Sequence, residues 1–595
     1  MKHLKYLNKF FIKYSWYFIP GILFVIISNI FGVLPAQIIR ISFDLVTENI
    51  HVYQQFAGFE RQSIIYSIFG SSLLLFAALV MVLALLRGMF LFFMRQTLIL
   101  MSRHIEFDLK NEIYAHYQQL SLAFFRRNNT GDLMNRVTED VSRVRMYLGP
   151  GVMYSINTIV LFVMVIYAML TVNIRLTIFS VLPLPILVIL IWYVNNIINQ
   201  RSEEIQERLS ILSTFVQENF SGIRIIKSYV REKEVKKNFA TESESYKNQA
   251  MALVKVQALF YPLMLLLVGL SNIITIYIGG TEVMKGNITS GNIAEFIVYL
   301  NQLTFPVISL GWVTSLIQRA AASQKRINEF LQLEPEIKSN LHGKSIKNGQ
   351  IEFKNLSFTY PDTGIKAINN ISFTAKPGEI VAIIGRTGSG KSTIANLIMR
   401  MYDCTEGELL IDDQRIDTLD LEKYREIIGF VPQEVFLFSD TIANNIAFSA
   451  DTLNMPIIEQ AAKDAAVYEN MMELPEGFNT LIGERGVTLS GGQKQRVSIA
   501  RAIVKHPKIL IFDDCLSAVD TRTEEEILRN LGENMLGKTS IIIAHRISTI
   551  KNADKIIVLD HGEIVENGNH DKLMALKGVY FELYEKQLLE EAESI

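Results

Sequence analysis

The chain has 595 residues, a length that suggests several domains, and its formal net charge of −2 gives no reason to expect nucleic acid as a partner. Hydrophobic residues make up 49% of the sequence, but the first half contains long uncharged apolar runs and the second half has the composition of a soluble α/β domain. Two cysteines, Cys404 and Cys515, are too few for a disulfide framework and indicate reduced cytosolic thiols.

Residues 1–13 intersperse lysines with leucine and phenylalanine. Such a start could be mistaken for a signal peptide. The apolar stretch that follows is long enough to span a membrane, however, and no cleavage site of small residues closes it. We therefore predict a basic amphipathic helix that lies on the inner membrane surface, in contact with lipid.

Six stretches free of Asp, Glu, Lys, Arg and His follow in the first half. A spanning helix needs about 20 mostly apolar residues, and each stretch has at least 23. One such stretch could be a buried helix of a soluble core, but six together predict an all-α transmembrane domain over residues 14–330. The predicted spans lie near 14–39, 62–86, 146–174, 176–200, 256–281 and 296–318.

The distribution of basic residues orients these spans. If the N-terminus is cytoplasmic, the two long inner loops, 87–145 and 201–255, hold 9 and 10 Lys or Arg residues, and the leading segment holds 4. The three outer segments then hold 2, 1 and 1. Because basic residues stay on the cytoplasmic side, we predict a multi-pass protein of the cell membrane whose N-terminus and C-terminal half are cytoplasmic.

The two long inner loops contain few helix breakers, so the spans are predicted to continue as helices into the cytoplasm. Each loop contains one break. The first break carries Asn128, Asn129 and Gly131, and the second carries Ser221 and Gly222, which are residue types found in turns. These breaks are candidate contact points for the domain that follows.

Residues 331–350 are polar and lack periodicity, which predicts a linker to a second domain over 351–590. In that domain a buried strand is followed by the pattern G-x-x-x-x-G-K-S, a loop whose backbone cradles phosphates at a helix N-terminus. Lys391 is expected to reach the β- and γ-phosphates and Ser392 to bind Mg²⁺. The ATP site predicted from this loop consists of Gly385, Thr387, Gly388, Ser389, Gly390, Lys391, Ser392 and Thr393.

A second apolar run, 509–512, predicts another buried strand, and Asp513 at its end can hold Mg²⁺ through water. Between these features lies LSGGQ, residues 489–493, which resembles the signature of ABC transporter ATPases. Other motifs of that family match in chain order at Tyr360 (the aromatic residue that stacks on adenine), Gln433 (the Q-loop), 483–485 (an exporter-type loop), 517–520 (the D-loop, with Asp520) and His545 (the switch histidine).

The resemblance extends from about residue 14 to residue 590. It implies a membrane domain of the exporter type, followed by an α/β P-loop ATPase domain with a helical subdomain. It also implies catalytic roles for Gln433 and His545, with Gln433 joining Ser392 and Asp513 at Mg²⁺.

In the family, the signature faces the γ-phosphate of an ATP held by a second ATPase domain. The residues that would do so here are Ser490, Gly491, Gly492 and Gln493. Two ATP molecules are then sandwiched between two domains. Because this chain carries one set of motifs, the resemblance implies a second half-transporter as its partner.

One residue departs from the family pattern. The residue after the Mg²⁺-binding aspartate is usually Glu, which polarises the attacking water, whereas here it is Asp514. A carboxylate pulled back by about 1 Å can slow the reaction on the order of 10²-fold. We therefore favour a heterodimer whose partner carries Glu. A homodimer in which Asp514 is a working base is the alternative.

The predicted activity is ATP hydrolysis that drives export of an amphipathic or hydrophobic compound, drug-like or lipid-like, by alternating access. The apolar spans suit such cargo, but any lipid-facing helix needs the same residues, so drug, lipid and peptide remain open. An alternative is an ATP-gated channel or a regulatory membrane ATPase that pumps no cargo. Six spans exclude a soluble ABC ATPase acting on ribosomes or DNA, and importers usually keep spans and ATPase on separate chains.

Overall fold

The computed structural model describes residues 2–55, 58, 61–340, 346–450, 452–483, 486, 489–516 and 521–593. The chain forms two compact units. The first contains the residues up to Tyr117 together with Gly131–Leu333, and the second contains Gln118–Thr130 together with the residues from Glu334 onward. A short segment of the N-terminal half therefore belongs to the same unit as the C-terminal half.

The described residues of the N-terminal half are helical apart from short turns. After a 3₁₀ turn at Lys2–Leu7, the helices are α1 Asn8–Lys13, α2 Ser15–Gln55, α3 Arg61–Gln119, α4 Leu122–Arg127, α5 Thr130–Asn135, α6 Val141–Met146, α7 Val152–Val172, α8 Ile174–Val181, α9 Pro183–Ser221, α10 Ile223–Ser228, α11 Glu232–Met284 and α12 Ser290–Leu331.

Six helical stretches among the described residues are long and apolar enough to cross a membrane. They are Ser15–Gln55, Tyr66–Gln119, Thr130–Val172, Ile174–Ser221, Glu232–Met284 and Ser290–Leu331. Each has between 41 and 54 residues, about twice what a bilayer requires. The helices therefore continue beyond the membrane, which confirms the predicted fold class.

Local side-chain chemistry places the breaks between these helices. Asn173 has an extended backbone between α7 and α8, and its side-chain oxygen accepts a hydrogen bond from the Leu176 N–H at 2.9 Å. This residue thus ends one helix and caps the next. Similarly, Thr289 and Asn292 form a capping box at the start of α12.

A buried charged group lies near the start of α12. The Glu295 side chain is 1% exposed, lies 3.4 Å from the Arg40 guanidinium of α2, and accepts a hydrogen bond from the Tyr299 hydroxyl at 3.0 Å. Buried carboxylates require such partners. Arg40 and Glu295 flank the charge-free stretches, so the sequence alone gave no sign that they pair.

The C-terminal half contains ten strands among its described residues: β1 Ile351–Thr359, β2 Lys366–Ala375, β3 Ile380–Gly385, β4 Glu406–Ile411, β5 Gln414–Arg415, β6 Ile428–Val431, β7 Ile509–Asp513, β8 Thr539–Ile543, β9 Lys555–Asp560 and β10 Glu563–Gly568. An antiparallel sheet has the order β2-β1-β4-β5, and a larger sheet has the order β10-β9-β3-β8-β7-β6. In the larger sheet only the edge strand β10 is antiparallel to its neighbour.

In the described part of this half, ten α-helices accompany the strands: α13 Lys391–Ile398, α14 Leu421–Glu426, α15 Ile442–Ala447, α16 Met455–Asp464, α17 Tyr468–Met472, α18 Gly491–Ile503, α19 Thr521–Met535, α20 Ile547–Ile550, α21 His570–Leu576 and α22 Val579–Glu593. Strand β3 contributes to a hydrophobic core on each face of its sheet, Val381 and Ile383 to one and Ala382 and Ile384 to the other. This alternation explains its continuous apolar sequence, because both of its faces are buried.

Candidate nucleotide-binding site

The glycine-rich loop lies at the carboxyl end of β3, a central strand of the larger sheet. The strand ends at Gly385 and α13 begins at Lys391. Gly390 has a φ of +98°, and a Cβ atom there would lie 2.4 Å from the Ala367 carbonyl oxygen. Both the backbone conformation and the available space therefore require glycine.

Lys391 is buried at this loop. Its ammonium donates hydrogen bonds to the carbonyl oxygens of Gly385 at 2.8 Å and Arg386 at 2.9 Å. Burial lowers the pKa of Lys391, whereas the carboxylates of Asp514 and Asp513 raise it. The Ser389 hydroxyl is also buried and has no hydrogen-bond partner among the described residues. A buried ammonium and an unpartnered hydroxyl at a helix N-terminus fit a phosphate chain.

Asp513 ends β7 next to this loop. Its carboxylate accepts a hydrogen bond from the Ser392 hydroxyl at 3.0 Å. The pKa of Asp513 is raised, chiefly by burial and also by Asp514, while Ser392 and Lys391 act in the opposite direction. A hydroxyl and a carboxylate in contact are oxygen ligands of the kind that Mg²⁺ prefers, usually with phosphates and water. The donor set at this position therefore fits the ion.

Asp514 is held by its backbone. Its N–H donates to the Ile543 carbonyl of β8 at 2.8 Å, and its φ of +48° lies in the left-handed region. The Gln433 amide, just after β6, donates to the Asp514 carboxylate at 3.2 Å. Because β8 fixes the backbone, the reach of the residue 514 side chain is set by its length.

His545 follows β8, two residues after its end. Its pKa is lowered, first by burial and then by the charge of Lys391, while Asp514 raises it. His545 and Asp514 line the same cavity. Histidine, lysine and two aspartates thus converge at the carboxyl ends of three neighbouring strands, β3, β8 and β7.

Tyr360 directly follows β1, and its hydroxyl lies 3.0 Å from the Thr393 hydroxyl in the first turn of α13. The Arg126 guanidinium of α4 lies over the Tyr360 ring, 5.0 Å from its centroid. Arg126 also donates to the Tyr402 hydroxyl at 3.2 Å and lies 3.6 Å from the Asp362 carboxylate. The ring is therefore fixed by α4 as well as by the phosphate loop.

The signature residues form the N-terminus of α18. Ser490 is the N-cap residue; its hydroxyl accepts from the Gln493 N–H at 3.3 Å, and the Gln493 side chain accepts from the Ser490 N–H at 2.9 Å. This capping box orders the turn that contains Gly491 and Gly492. A helix start of this kind can bind an anion.

The structure thus gathers the predicted phosphate-loop residues, Asp513, Asp514, Gln433 and His545 around the ends of β3, β7 and β8, with Tyr360 beside the loop. It places Ser490 and Gln493 on a separate helix, α18. Asp520 lies outside the described residues, as does most of 483–485. Two residues that touch this site, Arg126 and Gln587, are not predicted from the sequence. Arg126 precedes the first predicted break, whereas nothing in the sequence singled out Gln587.

Comparisons with known proteins find matches for both halves of the chain. The sequence family described as the ABC transporter transmembrane region matches residues 18–307, and the family described as ABC transporter matches residues 368–517. A solved structure described as that of a bacterial Atm1-family ABC exporter with ATP bound is similar over 96% of this chain and 99% of its own, with 27% identity and a TM-score of 0.77.

Several curated proteins are similar over most of their length. The multidrug resistance-like ATP-binding protein MdlA of Escherichia coli (strain K12) is 34% identical over 98% of both chains. A probable multidrug resistance ABC transporter ATP-binding/permease protein, YheI of Bacillus subtilis (strain 168), is 37% identical over 82% of this chain and 83% of its own. An ATP-dependent lipid A-core flippase of Syntrophus aciditrophicus (strain SB) is 37% identical over 83% of this chain and 82% of its own.

Proposed function

This chain belongs to the ABC transporter family and is one half of an ATP-driven exporter with a cytoplasmic ATPase domain. We propose that it is the slowly hydrolysing half of a heterodimer that exports an amphipathic compound. The observation that carries the proposal is the position of Asp514. It follows Asp513 at the end of β7, where the family usually has Glu.

The residues of this chain that would hold ATP surround the phosphate loop. Loop N–H groups and Lys391 would bind the phosphates, and Tyr360 would stack on the adenine. Ser392, Asp513 and Gln433 would hold Mg²⁺, which supplies charge neutralisation at the phosphates when bound. His545 lines a cavity together with Asp514, so a neutral imidazole there would donate a hydrogen bond to the terminal phosphate.

Hydrolysis at this site would be slow for a geometric reason. A carboxylate must orient the attacking water in line with the phosphate. The Asp514 backbone is tied to Ile543 of β8, so it cannot move forward to replace a missing methylene. A shortfall of about 1 Å can cost on the order of 10²-fold in rate.

The signature of this chain serves the other site. Its capping box at Ser490 and Gln493 is formed, and an anion site at the start of α18 would receive the phosphate of an ATP bound to the partner chain. This chain would therefore complete a fully active site whose carboxylate is a Glu of the partner.

The cargo is proposed to be amphipathic, drug-like or lipid-like. Relatives carry multidrug and lipid A-core names. In the membrane half, Tyr154 of α7 packs on Trp312 of α12 with ring centroids 5.4 Å apart, and Trp312 keeps 42% of its surface exposed. An exposed aromatic group with polar edges suits cargo that has both apolar and polar parts.

The test uses the full chain in lipid nanodiscs and compares the ATPase rate of wild type with those of Asp514→Glu and Asp514→Asn. We expect a nearly silent wild type and a rise on the order of 10²-fold in Asp514→Glu, with stimulation by amphipathic compounds. The control is Lys391→Ala in the Asp514→Glu background, which should abolish the rate. A brisk wild-type rate that Asp514→Asn removes would establish Asp514 as a competent base and favour a homodimer.

A further inference from the structure

The C-terminal helix α22 contacts the loop that carries His545. The Gln587 side-chain amide donates a hydrogen bond to the His545 carbonyl oxygen at 2.5 Å, and its side-chain oxygen accepts from the Ile547 N–H at 2.8 Å. One side chain therefore binds the backbone on both sides of Arg546. No motif in the sequence predicts a function for this helix.

Gln587 is held firmly because α22 is anchored at its start. Tyr580 is completely buried, and its hydroxyl lies 2.8 Å from the His570 Nδ1 of α21. Glu566 of β10 accepts hydrogen bonds from the Val579 and Tyr580 N–H groups at 2.6 and 3.0 Å. Seven residues are about two helical turns, so Gln587 lies on the same face of α22 as the buried Tyr580.

The loop after β8 is also held from the other side. Glu524 of α19 is 2% exposed and lies 2.8 Å from the Arg546 guanidinium, and it accepts a hydrogen bond from the Thr549 hydroxyl. Helix α20, which begins at Ile547, has only four residues and cannot define its own position. The backbone at 545–547 is therefore held by the hydrogen bonds of Gln587, by the contacts of Glu524 with the Arg546 and Thr549 side chains, and by the burial of Ile547 in the core.

A second contact between α22 and the site is weak. Glu582 lies 3.9 Å from Arg386 of the phosphate loop, and both side chains are about two-thirds exposed. Exposed pairs of this kind contribute little. Gln587 thus makes the stronger of these two polar contacts between α22 and the site.

We propose that Gln587 is a positioning residue for His545: it fixes the backbone from which the imidazole reaches the terminal phosphate, and so sets the preference of the site for ATP over ADP. The proposal rests on the proposed role of His545 at bound ATP. Gln587 itself touches no reacting atom. Because Gln587 donates a hydrogen bond directly to the His545 backbone, a movement of α22 would also move His545.

The test measures binding, so it does not depend on the slow hydrolysis. The full chain in nanodiscs is titrated with ADP and with the non-hydrolysable analogue AMP-PNP, both with Mg²⁺. In Gln587→Ala we expect the preference for AMP-PNP over ADP to fall roughly threefold to tenfold, the size of one lost hydrogen bond, with ADP affinity unchanged. Glu585→Ala, on an exposed side of the same helix, is the matched control and should behave as wild type.

A double mutant separates positioning from general stability. If Gln587 acts through His545, Gln587→Ala should cause no further loss in a His545→Ala background. An unchanged preference in Gln587→Ala, or an additive loss in the double mutant, would overturn the proposal.

If Gln587→Ala also loses ADP binding, Gln587→Glu is the variant that tests the proposal. It keeps the acceptor for the Ile547 N–H but loses the donor to the His545 carbonyl. We expect the same reduced preference in Gln587→Glu, and a wild-type preference would refute the proposal. Failure of the wild-type chain to bind either nucleotide would instead refute the proposed function.

Discussion

At the scale of single residues, the site depends on backbone positions that few side chains can occupy. Gly390 combines a φ of +98° with an approach of 2.4 Å between its hypothetical Cβ and the Ala367 oxygen. Asp514 also has a positive φ, at +48°, a region that Asp tolerates better than most residues. The phosphate loop and the carboxylate therefore occupy conformations that the surrounding sheet enforces.

Gly390→Ala should destabilise the ATPase domain and abolish ATP binding, because alanine meets both backbone strain and the Ala367 carbonyl. Gly537→Ala is the matched control: its φ is +74° but nothing lies within 4 Å of its Cβ position, so it should cost only the strain, about 1–2 kcal/mol. Unfolding can be followed with a thiol-reactive fluorophore, since Cys404 and the buried Cys515 both lie in this domain. Equal destabilisation by the two changes would contradict the steric argument.

At the scale of elements, α4 is the unusual helix. The chain enters it from α3 and leaves it into α5, yet segment 118–130 belongs to the second compact unit. Ala123 is 1% exposed within a hydrophobic core of that unit, and Arg126 lies on the Tyr360 ring. This short helix, although it comes from the N-terminal half of the sequence, therefore forms part of the proposed adenine site within the second unit.

We expect Arg126→Gln to weaken ATP binding more than tripolyphosphate binding, because only ATP uses the Tyr360 ring. A cation–π contact of this kind contributes about 0.5–2 kcal/mol, so the change in relative affinity should be severalfold. Arg127→Gln is the control. Its described ion pair, at 3.1 Å, is with Glu336, which is half-exposed. Equal losses for the two ligands would argue that Arg126 acts on folding alone.

At the scale of the whole molecule, this chain carries one phosphate loop and one signature, on separate helices, α13 and α18. Neither can form the proposed ATP sandwich without a second chain. The proposed ATP sandwich therefore requires a dimer, in which each ATP site would combine elements of both subunits.

Complementation tests this sharing. In the Asp514→Glu background, Lys391→Ala and Ser490→Arg should each abolish ATPase activity when expressed alone, one by loss of a phosphate ligand and the other by blocking the anion site. Co-expression should restore about a quarter to half of the activity, because mixed dimers place both defects in one site and leave the other intact. Absence of recovery in isolated mixed dimers would show that the sites are not shared.

The sequence by itself determined the architecture and the positions of the motifs. Charge-free stretches predict membrane spans because a bilayer excludes charge. The glycine-rich loop after an apolar strand predicts a phosphate site. Each prediction depends only on local periodicity and residue type. The sequence likewise shows Asp514 directly after Asp513, where the family usually has Glu. These features need no knowledge of distant contacts.

Only the tertiary structure decided which distant residues meet. Arg126 and Tyr360, Arg40 and Glu295, and Gln587 and His545 are separated by 42 to 255 positions, and their contacts arise from how helices pack and where strands end. No periodicity or motif encodes such a pairing, because it depends on the geometry of the folded core. The Gln587 contact with the His545 loop could be found only after α22 was placed against the sheet.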